Sequence, residues 1–92
     1  MTSLIASTDA QAASADIVLT AGQNTSLYLT GSVSGTYVDS AALAFIQIKS
    51  GSQYYTIGQL DALNPAKVLS AIGTFRVLKQ ACAAAFGVDR DN

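Results

Sequence analysis

The chain has 92 residues, half of them hydrophobic and only 12% charged, with six acidic side chains against five basic ones for a net charge of −1. That length fits one domain, and the lack of a basic excess makes nucleic acid a poor partner. There is no His and a single Cys, Cys82. Within these residues this excludes a disulfide, a zinc site built from several thiolates, and any acid–base chemistry that needs imidazole.

The first fifteen residues stand apart. From Thr2 to Ala15 the chain is mostly Ala, Ser, Thr and Gln, and only Leu4 and Ile5 are large and apolar. Small polar side chains bury little area, so Met1 to Ala15 reads as an extended N-terminal arm, 1–15, preceding a folded domain, 16–92. A short helix over Thr8 to Ala15 is compatible with its Ala content and marginal at that length. The pair Leu4 and Ile5 then reads as two anchors for a neighbouring subunit. The segment has no basic stretch ahead of a long apolar run, so no signal peptide is expected in it. No window approaches the ~20 apolar residues of a membrane helix.

From Asp16 onward the pattern is that of strands. Ile17-Val18-Leu19 is a short β-branched run closed by the turn cluster Ala21-Gly22-Gln23-Asn24. Leu27 and Leu29 alternate with Ser26, Tyr28 and Thr30, the period of a half-buried strand. Gly31 to Gly35 breaks it, and Tyr37-Val38 opens another extended stretch. Ala42, Ala44, Ile46 and Ile48 alternate with Leu43, Phe45, Gln47 and Lys49. The run Ile46 to Ile57 predicts a hairpin about Ser50-Gly51-Ser52, since glycine supplies the positive φ of such a tip.

Gly58 to Pro65 reads as a loop, because Asn64 before Pro65 is pushed out of the α region. Lys67 to Ser70 and Thr74 to Lys79 read as strands, the second with Phe75 and Val77 on one face and Arg76 on the other. The last strand is placed over Ala81 to Val88, with Asp89 to Asn92 as a polar tail. Cys82 within it reads as a small buried hydrophobe. The expected core is Leu27, Leu29, Ile46, Ile48, Ile57, Phe75, Val77 and Phe86. Short strands separated by Gly and Ser turns define an all-β chain, a small antiparallel β-sandwich or barrel.

Chemistry-bearing constellations are missing from the sequence. The six Asp residues are scattered, and no glycine-rich phosphate loop is present. No catalytic residue, metal site or cofactor is implied. Tyr28, Tyr37 and Tyr54 are candidates for contact with a partner protein, together with Leu4 and Ile5. Tyr54 and Tyr55 are adjacent, so a strand sends them to opposite faces, one to the core and one to the surface.

Phe45 to Leu60 resembles a hairpin of small β-sandwich proteins from tailed-phage virions: a strand, a Gly turn, an aromatic-rich strand and a Gly. Gly73-Thr74-Phe75-Arg76-Val77-Leu78-Lys79, an Ala-rich stretch and Phe86-Gly87-Val88-Asp89 are similar to the closing strands of the same proteins. The resemblance spans Ala42 to Asp91. It implies a capsid decoration (cement) protein or a related head accessory subunit, located in the virion and assembled in the host cytoplasm. It also implies binding to the major capsid protein and to sister copies, most plausibly as a trimer. The alternative is a small carbohydrate-binding or adhesive domain of a fibre, which the lack of Trp disfavours.

Overall fold

The computed structural model describes residues 2–31, 41–82 and 85–91. Among them the chain forms nine strands and no helix: β1 (Thr2–Thr8), β2 (Ala12–Ala13), β3 (Ile17–Leu19), β4 (Thr25–Gly31), β5 (Leu43–Ser50), β6 (Gln53–Asp61), β7 (Ala66–Leu69), β8 (Gly73–Lys79) and β9 (Phe86–Asp91). They make two antiparallel sheets. One runs β1-β9-β4-β7; the other runs β2-β8-β5-β6, with β3 also on β8. The chain is a β-sandwich.

Alternation decides which face each strand turns inward. Leu27 and Leu29 of β4, Ala44 and Ile46 of β5, Phe75 and Val77 of β8, and Phe86 and Val88 of β9 are buried in one core with Ile17, Leu19 and Leu60. The β5–β6 hairpin closes through Gly51 and Ser52, because Ser50 pairs with Gln53. Gly51 has φ +63°, and among the described residues only glycines have a positive φ, the pattern of a two-residue hairpin with glycine first.

Three expectations are corrected. Residues 2–8 are extended, as the sequence suggests, yet they do not project as an arm; they form edge strand β1 on β9. Ile5 is buried in the core and Leu4 packs against it, so both anchors hold their own domain. β1 has register shifts on both sides of Ile5, and it passes so close over β9 that a Cβ on Gly87 would lie 2.6 Å from the Ile5 carbonyl oxygen. Residues 8–15 hold no helix; Ala12 and Ala13 pair with Lys79 and Leu78.

Second, the last strand is Phe86–Asp91. Asp89 and Arg90 lie within its ladder rather than in a tail, opposite Tyr28 and Leu27. Residues 81–82 and 85 are outside any strand; Ala side chains offer too little area to hold one. Cys82 is buried, as expected of a small hydrophobe.

Third, β6 runs on to Asp61, and Ile57 leaves the core. Ile46 pairs with Gly58 while Gln47 pairs with Thr56, so Ile57 is an extra residue with no partner on β5. Such a bulge re-aims its side chain, and Ile57 is 53% exposed. Ile48 is only partly buried against the core.

Between β2 and β3 the sheet edge is patched by a side chain. The Ser14 N–H donates to the Val77 carbonyl at 2.8 Å, and the Val77 N–H donates to Ser14 Oγ at 2.9 Å. The hydroxyl takes the place of a backbone acceptor where the strand bends.

Candidate functional site

The outer face of the β2-β8-β5-β6 sheet carries a connected polar cluster. Pairing sets Arg76 of β8 beside Gln47 of β5, and Gln47 beside Thr56 of β6. Arg76 Nε donates to Gln47 Oε1 at 2.7 Å, and Gln47 Nε2 donates to Thr56 Oγ1 at 3.3 Å. The Arg76 guanidinium lies 3.7 Å from the centre of the Tyr54 ring. The Tyr54 hydroxyl donates to Asp16 Oδ1 at 2.7 Å, and Lys49 stands 3.8 Å from the same carboxylate.

These contacts explain the electrostatics. Tyr54 is pushed above the usual tyrosine range because its proton is shared with Asp16; slight burial and the Asp16 charge act the same way, and Arg76 opposes them. Cation–π stacking at an exposed site contributes about 0.5–1 kcal/mol, and the exposed Lys49–Asp16 pair adds little. The groups of this cluster hydrogen-bond and stack on one another. Chemically the face is a polar surface whose side chains already bond to one another.

Elsewhere on β6, on the turn after it and on β7, apolar side chains stand exposed. Tyr55 is 56% exposed on β6, beside Ile57, and Leu63 in the β6–β7 turn is almost fully exposed. Val68 on β7 is exposed as well. The turn is held by Asp61, whose carboxylate accepts from Gln59 Nε2 at 2.9 Å and from the N–H groups of Leu63 and Asn64 at 3.0 and 2.8 Å.

Those bonds, Gln59 first and Asn64 next, hold the Asp61 carboxyl below its ordinary value of 3.8. A lowered carboxyl stabilises the fold fully above that value, and the contribution is lost as pH falls through the folded value. Asp61→Asn should therefore flatten the decline of the melting temperature between about pH 5 and pH 2. An identical pH profile in the variant would show that the turn carries none of it.

At the opposite corner a cation is buried. Lys79 continues the inward row of Phe75 and Val77 and is wholly shielded from solvent. Its ammonium donates to the Thr8 carbonyl at 2.7 Å and sits 4.6 Å from the centre of the Phe86 ring. Burial pushes Lys79 below the usual lysine range, with Asp9 and Cys82 opposing. The Cys82 N–H donates to the Asp9 carbonyl at 3.0 Å. Residues 8–9 thus supply two acceptors to the far end of the chain. The period-2 pattern of Phe75-Arg76-Val77-Leu78-Lys79 carries Lys79 to the inward face, a burial not expected from the sequence because Lys is charged.

Of the proposed contact residues, Leu4 and Ile5 are taken up by the core. Tyr28 is half-buried on the outer face of the other sheet, between Asp89 and Ala66. Tyr54 belongs to the polar cluster, and neither it nor Tyr55 is in the core. Tyr37 lies outside the described residues. The structure thus does not gather Leu4, Ile5, Tyr28 and Tyr54 into one patch; Tyr55, Ile57 and Leu63, not expected from the sequence as contacts, are each more than half exposed. A cleft of about 180 Å³ lined by Val18, Leu19, Gln23, Asn24 and Arg90 is smaller than the roughly 300–1,000 Å³ of ligand pockets. Among the described residues no group of three His, Cys, Asp or Glu side chains could hold a metal ion.

Compared with protein-family models, curated proteins and solved structures, the chain has no match.

Proposed function

We propose that the chain is a structural protein that decorates and stabilises a phage capsid, a cement or head-decoration protein that binds the assembled lattice and sister copies of itself. The observation that carries this reading is the surface of the sandwich. One sheet face carries polar side chains that hydrogen-bond and stack on one another, and Tyr55, Ile57 and Leu63 stand exposed on β6 and the turn after it. Few ions must be stripped of water to cover such a surface. The resemblance of Ala42 to Asp91 to virion β-sandwiches points the same way.

The action is linkage, without turnover. A subunit that binds only the assembled lattice stabilises it by mass action, and many copies joined on one particle gain from multivalency. The carbohydrate-binding alternative needs an open aromatic platform, and Arg76 covers one face of the Tyr54 ring.

The test uses particles of the encoding phage that lack this chain. Adding the purified protein should raise the temperature at which they release DNA. Binding to free capsid subunits should be much weaker than binding to particles. A release temperature that does not move, with no protein co-sedimenting, overturns the proposal.

A further inference from the structure

We infer that Lys67 is an edge guard: its inward-reaching ammonium keeps two free strand edges, β7 and β6, from pairing with a strand of another chain. The inference stands independently of the proposed role. Among the described residues, β7 ends one sheet with only β4 as a neighbour, and β6 ends the other with only β5. An unpaired strand edge presents backbone donors and acceptors that a further strand can take up.

Alternation sets the direction of Lys67. On β7, Leu69 is buried and Val68 is exposed. Lys67 pairs with the fully buried Leu27, so it belongs to the inward row with Leu69. On β6, Leu60 pairs with Ala44 and Gly58 with Ile46, both buried, so Gly58 faces inward as well. A Cβ on Gly58 would lie 3.4 Å from Lys67 Nζ. The Lys67 side chain therefore reaches from the edge of one sheet to the edge of the other. Its ammonium ends over the bare glycine, and Lys67 stays exposed to water.

Strand addition would remove that water. A strand laid on either edge extends its sheet and closes over the ammonium. Neither β4 from Thr25 to Gly31 nor β6 from Gln53 to Leu60 has an acidic side chain to pair with it. Asp61 is engaged by Gln59, Leu63 and Asn64 in its own turn. A charge shut away from water without a counter-charge is strongly disfavoured, and inward-pointing charges are a known means of blunting sheet edges. The bulge at Ile57 adds to the effect on β6, as Pro65 does ahead of β7.

Sedimentation velocity on the full chain tests this, with hydrogen exchange to locate any contact. The parent is compared with Lys67→Met, Lys67→Arg and Lys49→Met. Either Met substitution leaves four basic side chains against six acidic ones, a net charge of −2, so only position separates the two. Circular dichroism verifies that each variant folds. The expected result is larger species that grow with concentration in Lys67→Met alone, with amide protection at 53–61 or 66–69 rising as they form. Each comparison is made against the parent, whatever oligomeric state the parent holds. A Lys67→Met chain that sediments like the parent overturns the inference. So does its growth without protection at either edge, or equal growth of Lys67→Arg or Lys49→Met. Should Lys67→Met fail to fold, Lys67→Gln takes its place under the same outcomes. Exchange on the parent decides if neither folds: protection at 53–61 that is constant with concentration is expected, and protection that rises overturns the guard.

Discussion

A chain lacking residues 1–8 is expected to lose its cooperative transition, or to melt more than about 10 °C lower than the full chain. The deletion removes the ordering cost of these residues together with the ladder bonds to β9 that offset it, so the outcome turns on what it leaves behind. Ile5 sits in the core beside Val88, and burying such a side chain contributes about 1.5–3 kcal/mol. The Lys79 ammonium loses the Thr8 carbonyl, a bond to a charged group worth about 1.5–3 kcal/mol. It also loses part of the cover that keeps it dry. β9, whose Phe86 and Val88 are fully buried, becomes the sheet edge. Together these are a large share of the ~5–15 kcal/mol of a small domain. Thermal unfolding followed by circular dichroism decides it. A truncated chain that melts within a few degrees of the parent would restore the view of this segment as a detachable tether.

Phe75→Ala is expected to cost about 3–5 kcal/mol. Phe75 is 1% exposed on β8, between Ile17 of β3 and Ile48 of β5, so no solvent-facing side is available for the site to collapse into. Its counterpart is Ile57→Ala, which reads from sequence as an equal core position. Since Ile57 stands at the bulge and is more than half exposed, that change should shift stability by no more than about 0.5 kcal/mol. Urea unfolding of the two variants gives both numbers. Equal midpoints would contradict the bulge as the reason for the difference.

The contrast between Phe75 and Ile57 shows what local pattern can and cannot carry. Strands β4, β5 and β8 are legible because strict alternation and two-sheet burial agree, and the hairpin tip is legible because Gly51 has the conformational freedom the turn demands. A bulge adds one residue and shifts the alternation of everything after it; nothing in Tyr55-Thr56-Ile57-Gly58 announces it. β9 was displaced for another reason. Its outward Asp89 and Asp91 look like a tail when read alone, and they become strand residues only because β4 lies alongside to pair with them.

The N-terminal segment reads as an arm only when apolar area is counted residue by residue. One Ile in a prepared site, with Gly87 bare enough to admit the backbone of β1, suffices to dock seven residues. For the candidate site, Tyr54 was legible as a surface aromatic, while its coupling to Arg76, Gln47 and Asp16 depends on register across three strands. The exposure of Tyr55, Ile57 and Leu63 follows from the bulge and the Asp61 turn, and so was hidden with them.

Quantitative mass spectrometry of purified particles of the phage that the proposed role requires as the source tests that role most directly. A decoration protein binds a repeated site, so the account predicts copy numbers comparable to the capsid subunits, retained through gradient purification. Absence of the chain from purified particles would contradict it, and a handful of copies per particle would move the protein from the capsid surface to a fibre.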